Sequence, residues 1–174
     1  VEHPVLNFIF SDVSRVVTHE LVRHRAGTAM SQESLRFVRL DNLSAYVPMC
    51  IEENDEGMAI FVKTMEQLEE LQRTLATVYD IDHEEKFAVK KKLTSAFRRV
   101  APIGLATTIG WSCNFRTLRH VLENRTDPHA EEEIRYLFAE VFNVVKDRYP
   151  NLLGDYETEM VDGLPWIKTA HRKI

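Results

Sequence analysis

The residues of this chain best suited to chemistry are the basic and hydroxyl side chains between positions 23 and 37, which read RHRAGTAMSQESLRF. Such a run is a poor core segment, because every buried arginine needs partners for its donors. A guanidinium group instead binds a phosphate or carboxylate with two parallel hydrogen bonds, and glycine lets the backbone approach a ligand closely. The run indicates a local anion site, although its composition fits a solvated basic helix end with a polar loop equally well.

A second group of basic side chains occurs later in the chain. Arg116 and His120 are four residues apart and would share a helix face, with Arg119 close by. Like charges on one face repel each other unless an anion lies between them, whereas exposed side chains paired with Glu123 and Glu131 would need no ligand. Two such groups on one short chain favour a shared anionic ligand.

Other kinds of site have less support. His19 and His24 are five residues apart, so they do not share a helix face as the histidines of HExxH do, and no metal site is expected. No base is identifiable by spacing for Ser31 or Ser34, so these hydroxyls are interpreted as hydrogen-bonding groups. Neither GxGxxG nor a Walker phosphate loop is present, so a nucleotide would have to be held by side chains and helix ends.

Bulk properties limit the class of protein. A chain of 174 residues suits one domain and can bury roughly 70% of its unfolded surface. The net charge of −5 disfavours a general binder of nucleic acid or anionic membranes. The two cysteines, Cys50 and Cys113, are far apart, which favours a reduced, cytoplasmic protein, with a single bridge as the alternative. No apolar run reaches the ~18 residues of a membrane span, and no signal peptide is recognisable.

The hydrophobic pattern predicts the elements that position the first basic segment. The apolar run over residues 5–10 predicts a strand, and Ser11 and Asp12 are N-cap candidates for a helix that runs to about Val22. The RHR triplet would then lie at the C-terminal end of this helix, where the dipole favours cations. Gly27 is placed to end the helix.

The rest of the chain is predicted to be mainly helical, with one further buried strand. Amphipathic stripes predict helices over 58–79 and 83–100, and the uncharged, β-branched run 105–113 predicts a strand. A helix over 114–122 would carry the second basic group, and Asp127-Pro128 is a start signal for a last long helix. Less regular structure is expected at 31–40, a loop leading into a short extended segment, and at 41–57, an acidic surface excursion. The tail from Gly154 is expected to be polar and anchored by Tyr156 and Trp166.

Together the two basic segments resemble the flavin-dependent thymidylate synthases. The signature of that family is an arginine-histidine-arginine triplet, a short spacer, a serine, then arginine and an aromatic residue. Here the spacer from Ala26 to Glu33 is one residue longer than usual. The matching residues are Arg23, His24, Arg25, Ser34, Arg36 and Phe37, the last in place of a common tyrosine.

The downstream segment resembles the family independently, in order and spacing. It contains Asn114-Phe-Arg116, then Asn124-Arg125-Thr-Asp-Pro-His129-Ala, then Glu133-Ile-Arg135. His120 stands where asparagine is frequent, and Glu20 stands where glutamine is frequent. The resemblance covers residues 1 to about 150.

This resemblance implies a fold, an assembly and a reaction. The fold would be α/β, of the α+β type, with a mixed sheet and long helices in a single domain over residues 1–174. The N-terminal portion of the family, which supplies further flavin contacts, would be missing from this chain, and its start at Val1 likewise suggests residues upstream. The protein would be a cytoplasmic homotetramer with active sites between subunits. It would convert dUMP to dTMP with carbon from methylenetetrahydrofolate, electrons from NADPH, and FAD as the hydride carrier.

The resemblance also assigns roles to individual residues. Arg125 would be catalytic, because a guanidinium beside the uracil ring stabilises the negative charge that builds up there. No protein nucleophile is required, since the flavin supplies the redox step. Substrate binding would fall to Glu20, Ser34, Arg36, Arg98 and Arg125, and flavin binding to Arg23, His24, Arg25, Asn114, Arg116, His120 and His129.

Two other functions are compatible with the sequence. The chain could be a catalytically inactive nucleotide-binding or helical interaction module with the same fold, as the longer spacer and the missing N-terminal portion suggest. It could also be a small nucleic-acid binder that uses the arginines of the RHR segment, although the acidic balance disfavours this. The two long helices could serve oligomerisation or the core of a monomer.

Overall fold

The structure, a computed structural model, describes residues 1–172, with the exception of the Phe37 side chain, so the aromatic position of the signature lies outside the described side chains. Two compact units are present, one made of residues 1–10, 17–31 and 109–174 and the other of residues 11–16 and 32–108. The helices and strands, in chain order, are β1 (Val5–Ser14), α1 (Arg15–Leu21), β2 (Thr28–Gln32), α2 (Met49–Glu52), α3 (Asp55–Val78), α4 (Phe87–Phe97), β3 (Ala106–Asn114), α5 (Phe115–Arg125), α6 (Glu132–Arg148), α7 (Pro150–Leu153), β4 (Tyr156–Val161) and β5 (Leu164–Thr169), with 3-10 turns at Leu35–Phe37 and Arg98–Val100.

The strands form two small sheets. A three-stranded sheet has the order β1-β3-β2, and β4 and β5 form a two-stranded antiparallel sheet. In the latter, Tyr156 lies opposite Thr169 and Val161 opposite Leu164. The turn residues Asp162 and Gly163 have φ angles of 54° and 77°, as a two-residue hairpin turn requires. This hairpin was not predicted, since the tail was expected only to be polar with anchors at Tyr156 and Trp166. The missed signal is the Asp-Gly pair between two short alternating runs.

The first unit is built around aromatic side chains that the strands and α6 bury together. The ring of Trp111 lies 5.7 Å from that of Phe8 and 5.4 Å from that of Phe138, and Phe10 lies 6.2 Å from Phe138. Edge and offset contacts at these distances add to the burial of apolar area. The helix α6 faces this core with Ile134, Phe138, Val141, Phe142 and Val145, as its apolar spacing predicts.

The second unit contains the two long helices that the sequence predicts. Asn54 caps α3 by accepting a hydrogen bond from the Gly57 backbone N–H at 2.8 Å, which adds a first turn to the expected 58–79 helix. The helix α4 is shorter than the expected 83–100, since a 3-10 turn replaces its last residues. One small core packs Ala76, Ile81 and Phe97, and another packs Leu35, Leu40 and Leu105.

The first helix begins differently from the prediction. Ser11 and Asp12 do not cap it, because β1 continues through them to Ser14 and α1 follows at once. Asp12 has a φ of 57°, so the strand bends at this residue while Val13 and Ser14 remain buried. The helix ends at Leu21, and the RHR triplet therefore follows it as a loop.

The start of the last long helix was also predicted wrongly. The helix α6 begins at Glu132, and the carboxylate of Glu131 caps it by accepting hydrogen bonds from the backbone N–H groups of Glu133 and Ile134. Asp127 instead accepts a hydrogen bond from the His129 backbone N–H at 2.9 Å. An Asp-Pro pair suits either a helix start or a turn. Here it forms a turn, and Glu131, four residues after Asp127, caps the helix.

Candidate functional site

A cleft of about 900 Å³ opens in the first unit. This volume lies within the usual range of small-molecule and cofactor sites. Four parts of the chain form it: Val1, the RHR loop over residues 22–27, one face of α5, and the segment that follows α6. Its walls consist of Val1, Arg23, His24, Arg25, Ala26, Arg116, Thr117, Arg119, His120, Glu123, Asn151, Leu152, Asp155 and His171.

The RHR loop is fixed against the start of α5. The Thr117 hydroxyl donates to the Ala26 carbonyl at 2.7 Å, and the Asn114 backbone N–H donates to the Gly27 carbonyl at 3.0 Å. Gly27 has a φ of +68°, and a Cβ at this position would lie 2.4 Å from the Thr117 Oγ1. Glycine is needed here both for its left-handed backbone and for the close approach.

One face of α5 supplies four of the cleft residues. Arg116, Arg119, His120 and Glu123 follow the i, i+3, i+4, i+7 spacing of a single helix face. Asn114 stands just before the helix and caps it, since its side chain accepts from the Thr117 backbone N–H at 2.9 Å. Asn114 therefore positions the helix, and the cleft lining does not include it.

Two cationic side chains of the RHR loop face the cleft without counterions. Among residues 1–172, neither Arg23 nor Arg25 has a side-chain hydrogen bond or ion pair. The arginines on α5 differ, because Arg116 pairs with Glu2 at 2.6 Å and Arg119 pairs with Asp155. The RHR loop is thus the part of the cleft whose guanidinium groups are open to a bound anion.

Arg125 lies next to this loop and is held by two of its neighbours. Its Nε donates to the His24 Nε2 at 2.7 Å, its Nη1 donates to the Glu20 carboxylate at 2.5 Å, and its Nη2 donates to the Glu20 carbonyl at 3.0 Å. A guanidinium has five N–H groups, so each terminal nitrogen keeps one N–H for a ligand. The structure therefore brings together three residues that the resemblance assigns to nucleotide and flavin binding.

His24 is neutral in this environment. Burial, together with the positive charge of Arg125 and the nearby His120, lowers its pKa to about 4. The rings of His24 and His120 meet edge to face with their centroids 5.8 Å apart. A neutral imidazole can accept the hydrogen bond from Arg125, whereas an imidazolium cannot.

The remaining predicted residues lie elsewhere. His129 is 96% exposed, hydrogen-bonds Asp127 in the turn before α6, and is not among the residues that line the cleft. Ser34, Arg36 and Arg98 belong to the second unit. There the Arg36 Nε donates to the Ser34 hydroxyl at 3.5 Å, and the Arg36 carbonyl accepts from Thr94 at 2.7 Å.

The second unit adds an arginine that sequence reasoning missed. Arg15 donates to the Glu33 carbonyl at 3.3 Å. Burial lowers its pKa, and the positive charge of Arg98 lowers it further, so two guanidinium groups lie close together beside the signature segment. The sequence does hold a signal for this residue, because Arg15 stands at the start of a helix directly before the apolar pair Val16 and Val17.

Sequence reasoning also missed the wall of the cleft that follows α6. Asn151, Leu152, Asp155 and His171 line it, whereas the tail was expected only to be polar, with anchors at Tyr156 and Trp166. The contacts that place them, such as the one between Arg119 and Asp155, join residues that are 36 positions apart. No local pattern reveals such a contact.

Among residues 1–172, no helix is long and apolar enough to cross a membrane. No group of three or more histidine, cysteine, aspartate or glutamate side chains in the same range is arranged to bind a metal ion.

Known proteins resemble this chain along most of its length. A sequence model of the thymidylate synthase complementing protein family matches residues 1–151. The flavin-dependent thymidylate synthase of Corynebacterium diphtheriae is 30% identical over 164 residues, which cover 92% of this chain and 65% of that protein. The flavin-dependent thymidylate synthase of Clostridium tetani is 33% identical over 167 residues, covering 94% and 67%. The chain thus spans about two thirds of the length of these relatives.

Solved structures resemble the fold as well. A crystal structure of thymidylate synthase X from Helicobacter pylori with FAD and dUMP superposes with a TM-score of 0.62 at 22% identity, covering 87% of this chain and 72% of that one. The predicted α/β class is confirmed by this likeness and by the helices and two small sheets described above. With the match to the family model over residues 1–151, these findings show that the chain belongs to the flavin-dependent thymidylate synthase family.

Proposed function

We propose that this chain acts as a flavin-dependent thymidylate synthase, which methylates dUMP reductively to dTMP with methylenetetrahydrofolate, NADPH and FAD. One observation carries the proposal: the RHR loop and the basic face of α5, which are the two segments that resemble the family, line a single cleft of about 900 Å³. The homotetramer with active sites between subunits and the cytoplasmic location remain predictions from the sequence.

The residues of the cleft fit FAD. Arg23 and Arg25 offer guanidinium groups that no side chain of residues 1–172 neutralises, and such groups match a pyrophosphate. The imidazoles of His24 and His120 provide flat, polarisable surfaces beside them. Bound FAD would supply the redox chemistry, and the chain's own residues would bind and orient it.

Arg125 would act on the pyrimidine ring. C5 of uracil is a poor nucleophile, and negative charge would develop on the ring when C6 accepts a hydride. A fixed guanidinium would stabilise that charge without reorganising. Its bonds to Glu20 and His24 fix the orientation and leave one N–H on each terminal nitrogen. Glu20 would lie beside the same nucleotide, as the resemblance implies.

By resemblance, Arg36 and Arg98 would bind the phosphate of the nucleotide and neighbouring groups, with Ser34 hydrogen-bonding the nucleotide. We add Arg15, because the positive charge of Arg98 acts on it and lowers its pKa. Two adjacent guanidinium groups repel each other until an anion joins them, so a phosphate would stabilise this arrangement.

The proposal is tested by purifying the protein and measuring its flavin absorbance and its formation of dTMP from dUMP. The substitution Arg125→Ala should abolish dTMP formation, while the protein should still bind flavin. Arg148→Ala changes an exposed arginine near the end of α6 and should leave turnover intact. Unchanged turnover in Arg125→Ala would refute the catalytic assignment. Wild-type protein that binds FAD and dUMP but forms no dTMP would instead support the inactive nucleotide-binding module.

A further inference from the structure

The C-terminal hairpin of β4 and β5 is joined to α5 by a series of partly buried polar contacts. Arg119 donates to both oxygens of Asp155, at 2.7 and 2.6 Å, and to the Leu152 carbonyl at 2.7 Å. The Arg119 guanidinium also stacks 4.6 Å from the ring centre of Tyr156. This bidentate geometry is the strongest form of an arginine–carboxylate pair.

A second set of contacts fastens the same two elements at the next turn of α5. The Tyr156 hydroxyl and the Arg172 guanidinium donate to the two oxygens of Glu123, at 3.1 and 2.9 Å. Glu123 is only 7% exposed, so these two donors replace the water that would otherwise solvate its carboxylate. Arg119 and Glu123 are thus held by contacts to the C-terminal segment. On the same face of α5, Arg116 pairs with Glu2 and His120 remains exposed.

The contact network continues to the residue that follows the hairpin. The Thr169 hydroxyl donates to the Asp155 Oδ2 at 2.7 Å, and the His171 backbone N–H donates to the Thr169 oxygen at 3.0 Å. The His171 imidazole lines the cleft. Among residues 1–172 it has no hydrogen-bond partner, so both ring nitrogens are available to a ligand.

We propose that His171 is a further ligand-contacting residue of the cleft, and that Asp155 is a positioning residue that holds it there through Thr169. The ligand class is the anionic dinucleotide of the proposed function, on which this inference rests. The match to the family model ends at residue 151. The hairpin beyond it would then line the cofactor site and contribute to binding.

The test measures the dissociation constant of FAD by fluorescence titration of the full chain. His171→Ala removes one hydrogen-bonding group and should raise the dissociation constant about 5-fold, with no change in unfolding temperature because the side chain is exposed. His171→Gln keeps a hydrogen-bonding group and should recover part of the lost affinity. Glu157→Gln changes an exposed carboxyl on β4 outside the cleft and is the matched control for Asp155→Asn.

The positioning role has its own readout. Asp155→Asn should also raise the dissociation constant about 5-fold, but it should add little in a protein that already carries His171→Ala, because the two residues act in series. Independent, additive losses would show that Asp155 has only a structural role and would overturn that part of the proposal.

The outcomes separate this inference from the function on which it rests. Wild-type protein that binds FAD, with an unchanged dissociation constant in His171→Ala, would overturn the inference and leave the proposed function standing. Wild-type protein that binds no FAD would overturn both.

Discussion

At the scale of single residues, the group formed by Arg125, Glu20 and His24 is the most informative part of the molecule. All three nitrogens of the guanidinium donate to these two neighbours. Arg125 is therefore oriented before any ligand arrives, which is how electrostatic stabilisation avoids a reorganisation cost. The arrangement depends on a neutral His24.

The neutral state of His24 predicts how stability depends on pH. Its pKa is lowered from 6.5 to about 4 in the folded chain, so the unfolded chain binds the proton first as the pH falls. The free energy of unfolding should therefore decrease between about pH 6.5 and pH 4. Urea titrations at several pH values check this, and His24→Gln should flatten the slope in that window.

A control distinguishes His24 from other histidines. His83 is fully exposed, and its hydrogen bond to Asp80 raises its pKa, so its contribution has the opposite sign. The protein with His83→Gln should still lose stability as the pH falls below 6.5. A wild-type stability that stays constant between pH 6.5 and pH 4 would contradict the role given to His24.

At the scale of elements, the junction between the RHR loop and α5 decides the shape of the cleft. The loop approaches the helix start so closely that Thr117 and Asn114 occupy the space a side chain at Gly27 would need. The capping side chain of Asn114 and the hydroxyl of Thr117 join the two segments. Small and polar residues at this junction thus place the guanidinium groups opposite α5.

Gly27→Ala should therefore destabilise the protein. The left-handed backbone costs about 1–2 kcal/mol for alanine, and loss of the hydrogen bond from Thr117 to Ala26 costs about 1 kcal/mol more. We expect a decrease of about 2–3 kcal/mol in the free energy of unfolding, measured by urea denaturation, together with weaker FAD binding.

The matched control is Gly104→Ala. A Cβ at Gly104 would meet nothing within 4 Å, and the backbone there is not left-handed. This change should alter stability by less than about 1 kcal/mol, and in the stabilising direction. Equal effects of the two substitutions would show that the close approach at Gly27 does not matter.

At the scale of the whole molecule, the long helix α3 carries an exposed apolar stripe. Ile60 is 60% exposed, Leu71 39% and Val78 71%. Their spacings of 11 and 7 residues place them on one side of the helix. Exposed apolar groups aligned in this way are typical of contacts with another chain, and the homotetramer predicted from the sequence would supply a second copy.

The stripe gives a test of the oligomeric state. Wild-type protein should have the mass of a tetramer in light scattering, and Ile60→Glu combined with Val78→Glu should lower that mass, because charges cannot be buried cheaply between subunits. Val62→Glu changes an apolar residue on another side of α3 that is 42% exposed, and it should leave the mass unaltered. A monomeric wild-type protein would contradict the prediction.

Local chemistry decided which parts could be predicted before the structure. The helices α3 and α4 follow from amphipathic stripes, and β3 follows from a run of β-branched residues, because each pattern is set by neighbours a few positions apart. The starts of α1 and α6 were misplaced, because the residues expected to cap them lie in a strand and in a turn instead, and local pattern does not distinguish these states.

The sequence by itself determined the family, the fold class and the chemistry of the two basic segments, because these depend on residue types and on short spacings. Only the tertiary structure decided that Glu20 and His24 hold Arg125, across 105 and 101 positions, and that Asp155 holds Arg119 across 36. Contacts over such separations depend on the path of the whole chain, and burial then fixes the charge state of His24. For the same reason, the hairpin wall of the cleft was not visible in the pattern of its own residues.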